Sequence, residues 1–245
     1  MTALLCFQNV SRRFPDGRKQ IAVLDRVALE LNRGDSVGVY GTRRSGKSTL
    51  LRLAAGMLLA DEGTVRFEGR DMALMTAGER NWLRRGAIAF VSSEDWRPEP
   101  GETVIEYLIA NLLSDGVPSA AARVRAHRAL EEMDFARAAE EPTEGLCRSA
   151  RSRVMLARAL AQEPRLLILD EPALMPELGE RDRFHGMLLA AARTRGLGLL
   201  ATSQEIAALQ GFSTLMSIAD GELCSTEEPG NALPFPSRIG EGLAR

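Results

Sequence analysis

The segment that most restricts the fold of this chain is residues 41–48, which read GTRRSGKS and match the pattern G-x-x-x-x-G-K-[ST]. Residues 35–40 before it are short, apolar and β-branched, which predicts a buried strand, and residues 48–58 after it carry apolar side chains at helical spacing. In such a strand–loop–helix unit, backbone N–H groups and the helix N-terminus can surround a phosphate group. Residues 41–48, the phosphate loop below, therefore predict an α/β domain that holds a nucleoside triphosphate.

Within the phosphate loop, the lysine and the final serine have separate expected roles. The chain has only two lysines, Lys19 and Lys47, among its 31 lysine and arginine residues. A lysine at this position, in a chain that otherwise uses arginine, indicates that a compact ammonium group is required here to reach the β- and γ-phosphates. Ser48 is expected to ligate Mg²⁺ through its hydroxyl, because Mg²⁺ prefers hard oxygen ligands. The residues predicted to bind nucleotide in this region are Gly41, Thr42, Arg43, Arg44, Ser45, Gly46, Lys47, Ser48 and Thr49.

A second segment, residues 165–172, reads RLLILDEP and ends an apolar run with two carboxylates. Such a run is typical of a central parallel strand that is buried on both faces, and ligands bind at the carboxyl ends of these strands. We expect Asp170 to hold Mg²⁺ through water and Glu171 to polarise the attacking water as a general base. The alternative is a strand end with two solvated acids. The phosphate loop upstream favours the nucleotide site over this alternative.

Charge, cysteine content and the length of apolar runs indicate the compartment of the protein and its possible partners. The net charge is −2 and no basic run occurs, so nothing predicts a nucleic-acid partner. Three cysteines, Cys6, Cys147 and Cys224, fit no metal-binding spacing and indicate a reducing compartment. No apolar run reaches the roughly 18 residues of a membrane span, and the first residues lack the pattern of a signal peptide. We therefore expect a cytoplasmic protein that can dock on a membrane partner.

These motifs together resemble the nucleotide-binding subunit of ABC transporters, over about residues 4–225. The spacing of the two phosphate-site segments fits this family, as do residues 151–160, which lead into the second strand, and residues 14–17 ahead of 22–25. Residues 70–85 followed by 88–91 look like the lipoprotein-release, macrolide-efflux and cell-division branch of the family. The resemblance implies that Phe14 stacks on adenine, although a partly buried loop aromatic is the alternative.

The resemblance also implies a two-lobed fold. An α/β, RecA-like P-loop NTPase core with an antiparallel β edge would take residues 1–92 and 153–228, and an inserted α-helical lobe would take residues 93–152. Residues 102–134 show no strand-like alternation, which independently predicts helices there. Residues 229–245 are rich in glycine and proline and are expected to be loosely ordered.

Four motifs of the family are altered in this chain. The signature motif, normally Leu-Ser-Gly-Gly-Gln, reads Leu146, Cys147, Arg148, Ser149 and Ala150; the Q-loop glutamine falls at Ser93; the switch histidine falls at Ser203; and the D-loop reads LMPE at residues 174–177. We expect Arg148 to crowd the nucleotide of an opposing subunit, because the glycine donors depend on conformations that glycine reaches most easily. Direct contact of its guanidinium with phosphate stays open as the alternative. Neither His127 nor His185 lies where it could replace the switch histidine, and His185 is expected to be an ordinary helix-face residue.

These changes predict a subunit that binds ATP and Mg²⁺ normally but hydrolyses ATP slowly, since losing one preorganised donor costs roughly 10²–10³ in rate. The resemblance implies an integral membrane partner, with this chain peripheral on the cytoplasmic face of the membrane. It also implies a second ATP-binding subunit, and a heterodimer is favoured because a homodimer would place every defect in both sites. One alternative is an ATP-sensing or structural subunit with negligible turnover, and a less favoured one is an unrelated kinase or GTPase. Trp96 and Tyr107 are either anchors for the membrane subunit or ordinary packing residues of the helical lobe.

Overall fold

Two β-sheets and the helices packed on them make up the described part of the chain, which in this computed structural model is residues 2–17, 19–171 and 178–226. The strands are β1 (Leu5–Asp16), β2 (Lys19–Leu31), β3 (Ser36–Tyr40), β4 (Glu62–Phe67), β5 (Arg70–Asp71), β6 (Ile88–Val91), β7 (Leu166–Asp170), β8 (Gly198–Ser203), β9 (Thr214–Ala219) and β10 (Glu222–Ser225). The helices are α1 (Lys47–Ala54), α2 (Ala77–Gly86), α3 (Val104–Ser114), α4 (Ser119–Glu132), α5 (Arg148–Ala161) and α6 (Leu178–Arg195). Short 3₁₀ helices lie at Met72–Leu74, Ser93–Asp95, Ala136–Ala138 and Ile206–Leu209.

The larger sheet brings distant parts of the chain to one edge. Its strand order is β10-β9-β3-β8-β7-β6, and β9, β3, β8, β7 and β6 run parallel to one another. A separate antiparallel sheet has the order β2-β1-β4-β5. Because β8 pairs with both β3 and β7, the carboxyl ends of these three strands are adjacent. The phosphate loop follows β3 and the carboxylate pair ends β7, so the fold places them at one edge of the sheet.

Alternation along β7 explains why this strand is central. Leu167 and Leu169 belong to the apolar core that also contains the helices α3, α4 and α5, whereas Leu166 and Ile168 belong to the core beneath α1 and the antiparallel sheet. Successive side chains of a strand point to opposite faces, so a strand between two apolar layers is apolar at every position. The run at residues 166–169 therefore has no polar member until Asp170.

The helices α3, α4 and α5 form a layer that contributes to the apolar core on one face of the larger sheet, whereas Leu83 of α2 belongs to the core beneath α1. Each of α2 and α3 begins with a threonine at the N-cap and a glutamate three residues later, and in both cases the two side chains exchange hydrogen bonds with the backbone. Alanines at 122, 126 and 129 are fully buried along α4, which allows close approach of the neighbouring helices. The helix α5 begins in this layer and continues past residue 153 toward β7.

An arginine links α6 to this helical layer. The Nε and Nη2 atoms of Arg195 donate to the two carboxylate oxygens of Glu132 at 3.0 and 2.9 Å. Its Nη1 donates to the carbonyl oxygen of Leu160 at 2.6 Å, and the Arg195 side chain is 12% exposed. Such a bidentate pair fixes orientation as well as distance, so Arg195 ties the ends of α4, α5 and α6 together.

Some predictions fall on parts of the chain that lie outside the described residues. These are the D-loop at residues 174–177, the tail at residues 229–245 and the side chain of Ser93. Within the described ranges, no helix is long and apolar enough to cross a membrane.

Candidate nucleotide site

Close packing explains both glycines of the phosphate loop. Gly46 precedes α1 with a φ of 105°, and a Cβ added there would lie 2.7 Å from the carbonyl oxygen of Val23. A Cβ added to Gly41 would lie 2.6 Å from the carbonyl oxygen of Ile218 and 2.6 Å from the Oγ of Ser45. The loop is therefore held against β2 and β9 at distances that only glycine permits.

Lys47 lies inside the curve of the phosphate loop. Its side chain is 6% exposed overall, and its Nζ donates to the carbonyl oxygens of Gly41 and Thr42 at 2.8 and 2.7 Å. Burial lowers the pKa of Lys47, while the charges of Glu171 and Asp170 oppose that shift. The charges of Asp170 and Glu171 therefore act on the Lys47 ammonium group.

The hydroxyl of Ser45 provides a test of whether phosphate fits this loop. Its Oγ is buried and has no hydrogen-bond partner among the residues that the structure describes. A buried hydroxyl without a partner costs free energy, and a phosphate oxygen in the curve of the loop is a suitable acceptor. Of the predicted nucleotide-binding residues, Gly46 and Lys47 are buried, Gly41, Ser45 and Thr49 are half-buried, and Thr42, Arg43, Arg44 and Ser48 are exposed.

The two carboxylates are fixed by the neighbouring strand β8. Asp170 lies opposite Thr202 in the parallel register, and the Thr202 hydroxyl donates to Asp170 Oδ1 at 3.0 Å. The backbone N–H of Glu171 donates to the carbonyl oxygen of Thr202 at 3.1 Å. The Gln204 side chain donates through Nε2 to Glu171 Oε1 at 2.8 Å. Sequence reasoning missed Thr202 and Gln204, although both flank the residue at the switch-histidine position.

Ser203 occupies the switch-histidine position and is hydrogen-bonded to its own turn and to the phosphate loop. It is 5% exposed, and its Oγ accepts a hydrogen bond from the backbone N–H of Glu205 at 3.0 Å. Its carbonyl oxygen accepts from the N–H of Gly41 at 3.1 Å, which joins β8 to the start of the phosphate loop. The residue therefore lies beside the phosphate loop, and its Oγ is held by a hydrogen bond that it accepts within its own turn.

The altered signature segment lies at the start of α5. Cys147 is the N-cap residue, Arg148 is the first residue of the helix, and both are exposed. Ser149 is 8% exposed, and its Oγ lies 3.2 Å from the Sγ of Cys147. The first turn has no acidic residue, and Arg151 donates from Nε to the carbonyl oxygen of Leu146. A helix N-terminus already carries positive partial charge, and Arg148 and Arg151 add two positive charges to this end of α5.

Phe14 lies on the antiparallel sheet, in β1. Its ring is half-buried and the guanidinium of Arg12 lies 4.8 Å from the ring centroid. The paired strand β2 carries Val23, whose carbonyl oxygen approaches Gly46, so this part of the sheet adjoins the phosphate loop. Stacking of Phe14 on adenine stays a prediction.

The structure favours lobe packing over partner docking for the two aromatics of the helical lobe. Tyr107 is 2% exposed, and its hydroxyl donates to the carbonyl oxygen of Asp95 and accepts from Arg158. The ring of Trp96 lies 5.2 Å from the ring of Tyr107 and is half-buried. The interpretation of Tyr107 as an anchor for a membrane subunit is wrong, because the residue lies inside the chain's own core.

The two histidines lie in helices away from the phosphate loop. His127 is exposed on α4. His185 is 5% exposed on α6, with its ring centroid 6.1 Å from that of Phe184. His185 is therefore a buried helix residue, which agrees with the expected structural role.

Comparison of the sequence with known proteins gives a family match and two similar relatives. The family model described as ABC transporter matches residues 24–174. The chain is 28% identical over 221 residues to a lipoprotein-releasing system ATP-binding protein LolD of Pseudomonas fluorescens, covering 90% of this chain and 97% of that protein. It is 36% identical over 171 residues to the LolD of Pseudomonas syringae pv. tomato, covering 69% and 74%. Both relatives agree with the lipoprotein-release resemblance of residues 70–91.

A solved structure confirms the predicted fold class. The dimeric structure of MJ0796, a bacterial ABC transporter cassette, matches with a TM-score of 0.80 and 23% identity, covering 89% of this chain and 96% of that chain. This likeness confirms an α/β P-loop NTPase fold. Together with the family match over residues 24–174, it establishes that the chain belongs to the ABC transporter family, as an ATP-binding subunit.

Proposed function

We propose that this subunit couples ATP binding and slow ATP hydrolysis to an integral membrane partner, within an asymmetric ATPase dimer on the cytoplasmic face of the membrane. One observation carries the proposal: the ends of β3, β7 and β8 bring a well-formed phosphate loop, two acids and a serine at the switch position to one edge of the sheet. The groups that bind a phosphate are present. A group that would stabilise charge on the γ-phosphate is replaced.

The side chains present fit ATP with Mg²⁺. Lys47 would contact the β- and γ-phosphates, and Ser45 would donate its hydroxyl to a phosphate oxygen. Ser48 and Asp170 would hold Mg²⁺, which commonly takes only one or two protein oxygens beside phosphates and water. Bound Mg²⁺ would supply neutralisation of the charge on the phosphate oxygens. Glu171 would orient the attacking water and accept its proton.

The replacement at Ser203 limits the rate. Serine has no imidazole, and the Oγ of this short side chain is held in its own turn by the hydrogen bond that it accepts from Glu205 N–H, so Ser203 does not replace the imidazole donor of a switch histidine. Loss of one preorganised donor to developing charge costs roughly 10²–10³ in rate. Binding energy from Lys47 and the loop N–H groups is unaffected by this change, so affinity for ATP should stay ordinary while turnover is slow.

Asymmetry follows from the distribution of the altered motifs. Two identical chains would combine Ser203 with the altered signature segment in both composite sites. An intact partner would separate these defects, because the phosphate loop of this chain would then face an unaltered signature motif. The exposed Arg148 at the start of α5 would face the partner's nucleotide. We therefore favour a heterodimer over a homodimer.

Exposed apolar side chains around α2 support a membrane partner. Leu74 is 85% exposed, Trp82 is 70% exposed and Met57 is 44% exposed. Met57 also lines a cavity of about 210 Å³, together with residues of α2, β6 and α5 that include Arg84 and Arg158. Large exposed apolar side chains beside a concave surface are typical of sites that bind another protein.

The competing function is an ATP-sensing or structural subunit with negligible turnover. Ser203 and Arg148 favour it, whereas the well-positioned Glu171 favours hydrolysis. The test is the rate of ATP cleavage at this chain's own phosphate loop, in the complex isolated from native membranes through a tag on this chain, with Glu171→Gln compared with wild type. Loss of the γ-label from ATP photo-crosslinked to this chain reports that rate separately from cleavage at the partner's loop. The exposed Glu222→Gln in β10 is the control for removal of one carboxylate.

If this site hydrolyses ATP, Glu171→Gln should lower the cleavage rate at this chain's loop at least tenfold while Glu222→Gln leaves it unchanged. An unchanged cleavage rate in Glu171→Gln, or no cleavage at this loop in wild type, would favour the sensing role. The same preparation tests assembly, because its subunit masses and stoichiometry distinguish a heterodimer from a homodimer. A symmetric dimer of this chain with full activity would contradict the asymmetric arrangement.

A further inference from the structure

Gln204 touches the proposed general base directly. Its Nε2 donates to Glu171 Oε1 at 2.8 Å, a normal length for a hydrogen bond between an N–H group and a carboxylate. Gln204 comes immediately after β8 and Glu171 immediately after β7, and these two strands are paired in parallel. The contact therefore joins two strand ends that are 33 residues apart in sequence.

The backbones on both sides of this contact are fixed. Glu171 has a φ of 50°, a conformation that is uncommon for residues other than glycine, and its N–H donates to the carbonyl oxygen of Thr202. On the other strand, Ser203 is bonded to Gly41 through its carbonyl oxygen and to the N–H of Glu205 through its hydroxyl. Gln204 is thus held between two anchored residues, which restricts where its amide can lie.

The chemistry of an amide suits this position. A glutamine donates a hydrogen bond to one carboxylate oxygen and adds no charge. A lysine or arginine would pair with Glu171 and stabilise its ionised form, which would weaken it as a proton acceptor. An amide can therefore orient Glu171 without such pairing.

We propose that Gln204 is a positioning residue for ATP hydrolysis, which holds the Glu171 carboxylate in place for the attacking water. The inference rests on the proposed function, since it requires that Glu171 acts as the general base at this site. Gln204 lies next to the position of the missing switch histidine. Its contact is to Glu171, so it orients the base and leaves the γ-phosphate without the lost donor.

The test uses the complex isolated from native membranes through a tag on this chain. Gln204→Met keeps the length of the side chain and removes the amide. We expect the rate of ATP cleavage at this chain's own phosphate loop, followed through the γ-label on this chain, to fall about tenfold, the size of effect expected for one hydrogen bond to a charged group, with the labelling of this chain by ATP unchanged. Gln210→Met is the matched control, because Gln210 is an exposed glutamine at the end of the following 3₁₀ helix.

A second variant gives a readout that a merely structural role would not change. Gln204→Glu keeps the length and shape of the side chain but replaces the donating NH₂ group with an acceptor oxygen, so it cannot donate to an ionised Glu171. The rate of ATP cleavage at this chain's loop should therefore fall at least as far as in Gln204→Met, while the labelling of this chain by ATP stays unchanged, because only the step that needs the oriented base is affected. Gln210→Glu should keep the wild-type cleavage rate.

The outcomes separate this inference from the proposed function. If Glu171→Gln abolishes ATP cleavage at this chain's loop but Gln204→Met keeps the wild-type cleavage rate there, positioning by Gln204 is wrong and the proposed function stands. Faster cleavage in Gln204→Met would also overturn it, because the contact would then restrain the base. A wild-type cleavage rate in Gln204→Glu would count against it equally. If Glu171→Gln leaves cleavage at this loop unchanged, both the hydrolytic role of this site and the role of Gln204 are wrong.

Discussion

Replacing Gly46 with alanine adds one methyl group at the point where the phosphate loop meets α1. The φ of 105° at this residue costs about 1–3 kcal/mol for any residue with a Cβ. The new carbon would also lie 2.7 Å from the carbonyl oxygen of Val23, which is backbone and cannot rotate away. The loop must therefore move to accept the methyl group. If ATP needs the loop in its present shape, about 1–3 kcal/mol of binding is lost, or roughly 5- to 150-fold in Kd.

Equilibrium binding of ATP to the full chain measures this loss directly, by titration calorimetry or with a fluorescent nucleotide. The control is Gly86→Ala. Gly86 is the last residue of α2, its φ is not positive, and an added Cβ there meets no atom within 4 Å. Alanine there should leave ATP binding unchanged and raise helix stability by at most about 1 kcal/mol. A Gly46→Ala protein that binds ATP within twofold of wild type would refute the steric argument for the loop.

Two further predictions concern stability. Arg195→Leu should lower the free energy of unfolding by about 2–3 kcal/mol in urea titrations, because it leaves Glu132 partly buried without its bidentate partner; the exposed Arg193→Leu should change it by less than about 0.5 kcal/mol. An equal loss in both variants would contradict the role given to Arg195. Burial raises the pKa of Asp115, so its charge destabilises the fold at neutral pH, and Asp115→Asn should raise Tm at pH 7. That gain should shrink as pH falls toward 3.8, the ordinary pKa of the group, and a gain independent of pH would contradict it.

Local sequence patterns were sufficient to predict the phosphate loop and the strand that ends at Asp170. In each case the chemistry is carried by consecutive residues: two glycines and a lysine before a helix, or an apolar run that ends in acids. The α/β class followed from the same segments, because a glycine-rich loop between a strand and a helix has few other structural contexts.

Contacts between strand ends could not be predicted in this way. Thr202 and Gln204 meet Asp170 and Glu171 only because β8 lies between β3 and β7 in the sheet, an order that the order of segments along the chain does not specify. Tyr107 is a different case, because the sequence alone left partner docking and lobe packing open for it. It lies on the apolar face of α3 with Val104 and Leu108, all nearly fully buried, and helical spacing alone could have indicated that face.

The most direct measurement follows the fate of ATP at the site of this chain within the isolated complex. Photo-crosslinking with 8-azido-ATP, labelled in parallel at the α- or the γ-phosphate, marks the subunit whose residues contact the adenine. The ratio of γ- to α-label on each subunit over time then reports cleavage at its own phosphate loop. We expect strong labelling of this chain, with the γ-label retained long after the partner has lost it. Absence of labelling on this chain, or loss of its γ-label as fast as from the partner, would contradict firm binding with slow hydrolysis.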